Sequence, residues 1–185
     1  QGAAGFDAAI RAENVIENVF EFILDRLRGY YLDQGVRPDA FEAVLECRPT
    51  RPLDFDRRVR AVSAFRELPE AASLAAANKR IRNILKKVET VLPFEVRPDL
   101  LVEEAEQALA GRLVELSSEV TPLMDAGLYG EALNRLAGLR EPVDAFFDQV
   151  LVMAEDAAVR DNRIALLNEL GSLFLRVADF SRLQD

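Results

Sequence analysis

The chain has 185 residues, half of them hydrophobic, with 23 basic against 32 acidic side chains and a net charge of −9. That length suits one domain, or one domain with an extra leading helix, and it buries enough surface to need no disulfide or metal staple. Histidine is absent and Cys47 is the single cysteine. Together these exclude a Ser-His-Asp or Cys-His nucleophile, a histidine general base, an ordinary zinc site and an intrachain disulfide.

Helical spacing of apolar residues dominates from end to end. The first predicted helix runs from about Phe6 to Gln34, with Ile16, Val19, Phe20, Ile23, Leu27 and Tyr30 as one stripe, and Gly35 closes it. Pro38 and Asp39 open a short second helix carrying Phe41, Val44 and Leu45, which stops at Arg48-Pro49. Two prolines make Arg48-Pro-Thr-Arg-Pro52 a basic, non-helical connector. The third helix starts near Asp54 as N-cap and turns Phe55, Val59, Val62 and Phe65 inward. The fourth begins at Pro69 and runs to about Glu89, burying Leu74, Ala77, Ile81, Ile84, Leu85 and Val88. Pro93 to Pro98 is a turn, a fifth helix spans about Asp99 to Glu119, and Pro122 and Gly127 bound a short piece. Helices from about Tyr129 to Leu139, Glu141 to Met153 and Asp156 to Asp179 complete the chain. No window alternates as a half-buried strand does, so the expected fold is all-α, a bundle of about seven or eight amphipathic helices.

No chemistry-bearing motif interrupts this pattern. Neither GxGxxG nor GxxxxGK[ST] occurs. Carboxylates such as Glu103, Glu104 and Glu106 fall at solvent-face spacing, which is a solvated helix face rather than a catalytic pair. No catalytic residue and no metal ligand is assigned. No apolar run reaches the ~18 residues a membrane helix needs, and the cysteine usage fits a reducing, cytoplasmic compartment. The chain opens on Gln1 with small residues to Gly5. That opening reads as a domain boundary within a longer protein.

Charge is unevenly placed. Between Arg48 and Lys87 eleven basic residues stand against four acidic ones, a net of +7 inside a chain of −9. Such a segment is the footprint of a polyanion site on an acidic body. Its sharpest part is Asn78-Lys-Arg-Ile-Arg-Asn-Ile-Leu-Lys-Lys87. At 100° per residue Ile81, Ile84 and Leu85 point inward, while Lys79, Arg82 and Lys86 share one outer face and Arg80, Asn83 and Lys87 the next. Asn78 sits at the edge of the apolar stripe. The expected RNA-binding set is Asn78, Lys79, Arg82, Asn83, Lys86 and Lys87, with Arg57 and Arg60 as further phosphate contacts. Arg58 and Arg66 project inward and are expected to make structural ion pairs, and Asp56 and Arg60 to pair at i, i+4. Phe146 and Phe147 are expected in the core, and Cys47 as a small buried apolar residue. The competing reading of the basic helix is a docking face for an acidic protein surface.

Asn78–Lys87 resembles the matching stretch near the C-terminus of the bacterial glycyl-tRNA synthetase β subunit. So do Leu53-Asp-Phe-Asp-Arg-Arg-Val-Arg-Ala61, the run Arg140-Glu-Pro-Val-Asp-Ala-Phe-Phe-Asp-Gln-Val-Leu-Val-Met153, and the ending from Asn162-Arg-Ile-Ala-Leu-Leu to Gln184. The likeness covers the chain from about Phe22 onward. It implies that residues 35–185 form a helical anticodon-binding domain of the DALR type, similar to that of arginyl- and cysteinyl-type synthetases. Residues 1–34 would then be a leading helix or a linker from the preceding domain. The tetrapeptide Asp-Ala-Leu-Arg is not contiguous here. The resemblance further implies glycine tRNA as partner, with the α subunit and the rest of β completing the enzyme. ATP and magnesium would serve the whole enzyme, and no cofactor this fragment. In the implied mechanism Lys79, Lys86 and Lys87 neutralise phosphates of the anticodon stem-loop, while Arg82, Asn83 and Asn78 read unstacked bases.

Overall fold

Proline starts helices in this chain more often than it stops them. In the computed structural model, which describes residues 15, 18, 19, 22–88 and 95–184, helix α1 covers 22–33. Gly35 follows it at φ +84°, a left-handed position that favours glycine. Helices α2 (Pro38–Leu45) and α3 (Pro52–Phe65) both carry proline in the first turn, where its missing N–H has no intrahelical partner to lose. Then come α4 (Ala71–Leu85), α5 (Glu104–Asp125), α6 (Tyr129–Leu136), α7 (Arg140–Gln149) and α8 (Ala157–Leu175). Single 3₁₀ turns lie at Pro98–Leu100, Ala137–Leu139 and Phe180–Arg182, and the described residues contain no strand. None of their helices is long and apolar enough to cross a membrane.

The bundle is all-α as the periodicity predicts, and the differences are at helix ends. Pro52 belongs to α3 rather than to a connector, so Asp54 lies in the first turn instead of capping it. There it accepts from Arg58 Nε at 2.8 Å and from the Tyr129 hydroxyl at 2.5 Å. Helix α4 starts at Ala71, after Pro69, and ends at Leu85. Helix α5 begins at Glu104 and continues through Pro122. That proline is exposed, in the last turn, where water can take the carbonyl bond it forgoes. Helix α7 stops at Gln149, and α8 is capped by Asp156, whose carboxylate accepts from the Ala158 and Val159 N–H groups. The stripe expected on α1 is a second correction. Val19, Ile23 and Tyr30 are exposed, Leu24 and Tyr31 are buried in their place, and of the described stripe residues only Leu27 packs on the core. Ile16 and Phe20 lie outside the described residues.

One continuous core runs through the bundle, built on Phe41, Phe55, Phe65, Phe146, Phe174 and Phe180, all at most 2% exposed. Each contributes roughly 1.5–3 kcal/mol of burial. Helix α3 packs on α2 and α6, and α5 on α6 and α7. Helix α4 packs on α7, α8 and the Phe180–Arg182 turn. Gly171 of α8 permits this approach, because a Cβ there would stand 3.3 Å from Ile81 Cγ2 of α4. One buried ion pair ties three distant pieces together. Arg163 of α8 pairs with Glu106, which is fully buried and not on the solvated face its spacing predicts, and donates to the Leu151 carbonyl at 2.7 Å. Glu106 in turn accepts from the Val102 and Glu103 N–H groups at the start of α5.

Candidate nucleic-acid interface

The Ala-rich first half of α4, Ala71-Ala-Ser-Leu-Ala-Ala-Ala77, has high helix propensity and small side chains that let the helix sit close to its neighbours. Its second half carries the charge. Burial of Leu74, Ala77, Asn78 and Ile81 fixes which arc faces the core. The opposite arc presents Ala76, Lys79, Asn83, Lys86 and Lys87 to solvent, and Arg80 beside them. These positions divide into two flanks with different chemistry.

On one flank Arg82 is taken up internally. It donates to Asp179, to Ser181 Oγ at 3.0 Å and to Glu46 at 3.3 Å. Arg182 reaches the same two carboxylates, pairing with Glu46 and lying 3.4 Å from Asp179 Oδ2. Asp179 also accepts from the Ser181 N–H and hydroxyl, and its own N–H donates to the Ala43 carbonyl at 2.8 Å. The cluster clamps the end of the chain onto α2 and α4. Arg82 is thus a structural residue. Asn78 is likewise removed from the expected base-reading set, since it is buried and its amide donates to the Leu74 carbonyl at 2.9 Å.

On the other flank Lys79, Arg80 and Lys87 surround a shallow hollow floored by Ala76 and Ile84, with Asn83 in its lining. Lys79, Lys86 and Lys87 make no ion pair with the described residues, and they are all the lysines the chain has. Arg80 has no carboxylate partner there either. Its guanidinium lies over the Phe147 ring at 4.3 Å from the centroid, which orients it and leaves its edge free. Phe147 itself is half-buried and meets Phe146 edge-on.

The α3 residues are not part of this surface. Arg57 is exposed beside the Asp125–Gly127 turn, next to Arg51. Arg60 is bonded to Asp56 at 2.8 Å, and this guanidinium, first among several causes, holds the Asp56 carboxyl below its ordinary range. Arg58 donates to Asp54 and to the Arg176 and Val177 carbonyls and covers the Tyr129 ring. Arg66 joins Asp39 at 2.5 Å and the Gln184 carbonyl at 2.6 Å. Both arginines are structural, as their inward projection predicts. Burial alone would raise the Asp39 carboxyl, but donation from the Gln184 N–H and the charges of Arg66 and Arg37 hold it below 3.8. Burial pushes the Cys47 thiol up, and its Sγ–H donates to the Leu175 carbonyl at 3.3 Å. It is half-buried, less covered than the small core residue its apolar character predicts. Among the described residues no cluster of metal-ligating side chains is present.

Reasoning from sequence placed Arg80 on an outer face but not in the binding set. Its partner Phe147 is on α7, so no local signal could report the stacked geometry. The flank therefore reduces to Lys79, Arg80, Asn83 and Lys87, with Lys86 at its edge.

Comparison with known proteins agrees with this architecture. The model of the DALR anticodon binding domain matches residues 74–176, more than half of the chain, and it spans α4 to α8. The chain is 58% identical over 172 residues to the Glycine–tRNA ligase beta subunit of Aeromonas hydrophila, covering 93% of this chain and 25% of that protein. It is 52% identical over 184 residues to the subunit of the same name from Pasteurella multocida, covering 27% of it. The chain thus spans about a quarter of the length of the curated relatives it matches. With its all-helical bundle, it belongs to the DALR anticodon-binding domain family.

Proposed function

We propose that the chain is the tRNA-gripping module of a glycine–tRNA ligase beta subunit, and that it holds the anticodon stem-loop of glycine tRNA against the open flank of α4. One observation carries this reading. A chain of net charge −9 gathers all its lysines, with Arg80 and Asn83, on one exposed helix surface where no carboxylate among the described residues neutralises them. Unpaired cations at such spacing meet phosphates, and an amide beside them can reach base edges. Phosphates engage Lys79, Arg80 and Lys87, and Asn83 contacts an unstacked base. Glycine activation, with its ATP and magnesium, takes place on the alpha subunit, and this module supplies recognition.

Fluorescence anisotropy with the glycine-tRNA anticodon stem-loop, at low and moderate salt and beside a loop-altered control, tests the reading. About three engaged phosphates give a log–log salt slope of roughly −2. Affinity should drop when the anticodon bases are changed. Binding that is absent, or equal for both RNAs, would make α4 a docking face for protein.

A further inference from the structure

The open flank of α4 continues past its C-terminal end into a second hollow of about 470 Å³. The two hollows share Ile84 and Lys87, so one surface leads into the other. Ile84, Val88 and Ile164 line the second with hydrocarbon, and Met153 closes one side. Met153 is 59% exposed and the neighbouring Leu151 is 70% exposed, an apolar turn beside a cationic surface. Arg160 and Asp161 supply the polar groups. Arg160 donates to the Ala154 carbonyl at 3.3 Å, while the Asp161 carboxylate lies 3.9 Å from Arg160 Nε and stays exposed.

Resting on the reading above, we propose that this hollow seats one unstacked nucleobase of the bound RNA, with Met153 against its face and Asp161 accepting from an amino group on its edge. A flat ring with two apolar faces and a polar rim matches hydrocarbon walls closed by a thioether. The Asp161 carboxylate favours a base that carries an exocyclic amino group, as cytosine, adenine and guanine do, over uracil. Lys87, common to both hollows, is placed for the adjoining phosphate.

The seat is also held in shape. The Leu151 carbonyl is fixed by Arg163, and Arg163 by the buried Glu106. Asn162, next in the chain to Asp161, accepts from the Arg97 N–H at 2.7 Å and donates to the Arg97 carbonyl at 3.0 Å. Asp156 caps the helix that carries Arg160 and Asp161. The buried ion pair therefore has a purpose at the surface: it positions the Met153 turn against α4 before RNA arrives.

The test is a double-mutant cycle. One stem-loop RNA is made with a single abasic site at each loop position in turn and titrated against the unaltered chain, Met153→Ala and Asp161→Asn. At one loop position the abasic site and Met153→Ala should each weaken binding about five-fold, and together no more than either alone. Asp161→Asn should narrow the preference for an amino-bearing base over uracil at that position and leave the salt slope unchanged. Additive losses at every loop position would overturn the seat. Lys79→Ala/Lys87→Ala separates the two claims. If that variant still weakens binding while the cycle is additive, the α4 reading survives without the seat. If it binds as well as the unaltered chain, both fall.

Discussion

The two flanks of α4 carry the same kind of side chain and put it to opposite uses. Arg82 is surrounded by Asp179, Glu46 and Ser181, and its charge is consumed in holding down the end of the chain. A few ångströms around the helix, Lys79 and Lys87 face solvent with no such partner. Net charge treats the three alike. What separates them is the cost of bringing a cation to its site. A half-covered guanidinium needs carboxylates to replace its water, whereas an exposed ammonium keeps its hydration until a phosphate displaces it. The contrast teaches that a basic stretch must be sorted by internal partners before it is read as an interface.

Breaking the clamp should have the largest effect. Asp179→Ala removes the shared partner of Arg82 and Arg182 and an acceptor for the Ser181 N–H, and should cost about 3 kcal/mol of stability by chemical denaturation. The fraction that remains folded should keep its RNA affinity. A loss of affinity at unchanged stability would merge the two flanks. On the open side, Lys79→Ala/Lys87→Ala should weaken stem-loop binding about ten-fold at low salt and flatten the salt slope by roughly 1.4, with stability within about 0.5 kcal/mol of the parent. Arg80→Ala sharpens the comparison, because Arg80 is held by an aromatic ring instead of a carboxylate. It should lower both stability and affinity, each by about 0.5–1 kcal/mol, whereas Arg80→Lys should restore more affinity than stability.

The smallest effect is one of pH, on the clamp side. Asp39 has a carboxyl held below 3.8 in the folded chain and receives the Gln184 N–H and Arg66. A depressed carboxyl stabilises above its unfolded pKa, and that contribution is lost as pH falls through the folded value. The difference in urea midpoint between the parent and Asp39→Asn should therefore be constant from pH 7 to 5 and shrink below about 3.8. A constant gap down to pH 2 would contradict the assignment.

Much of this was legible in the order of residues. Period-3.6 apolar spacing gave the helices, and projection onto a wheel correctly turned Arg58 and Arg66 inward. Local rules misjudged Pro52 and Pro122 because proline tolerance depends on position within the turn and on exposure. The fate of Arg82 could not be read, since its partner Asp179 lies 97 residues away. Asn78 was ambiguous at the stripe edge, and only packing against the core decided it. The α1 stripe fails for a related reason. That helix is apolar over a wide arc, and sequence alone does not say which part of the arc the domain takes.

Lysine footprinting reads out RNA contact at the open flank of α4, because the chain's lysines are Lys79, Lys86 and Lys87 alone. Acetylation is followed by mass spectrometry with and without the anticodon stem-loop. Lys79 and Lys87 should be strongly protected, and Lys86, at the edge of the clamp flank, more weakly. Unchanged reactivity of all three under saturating RNA would contradict that contact.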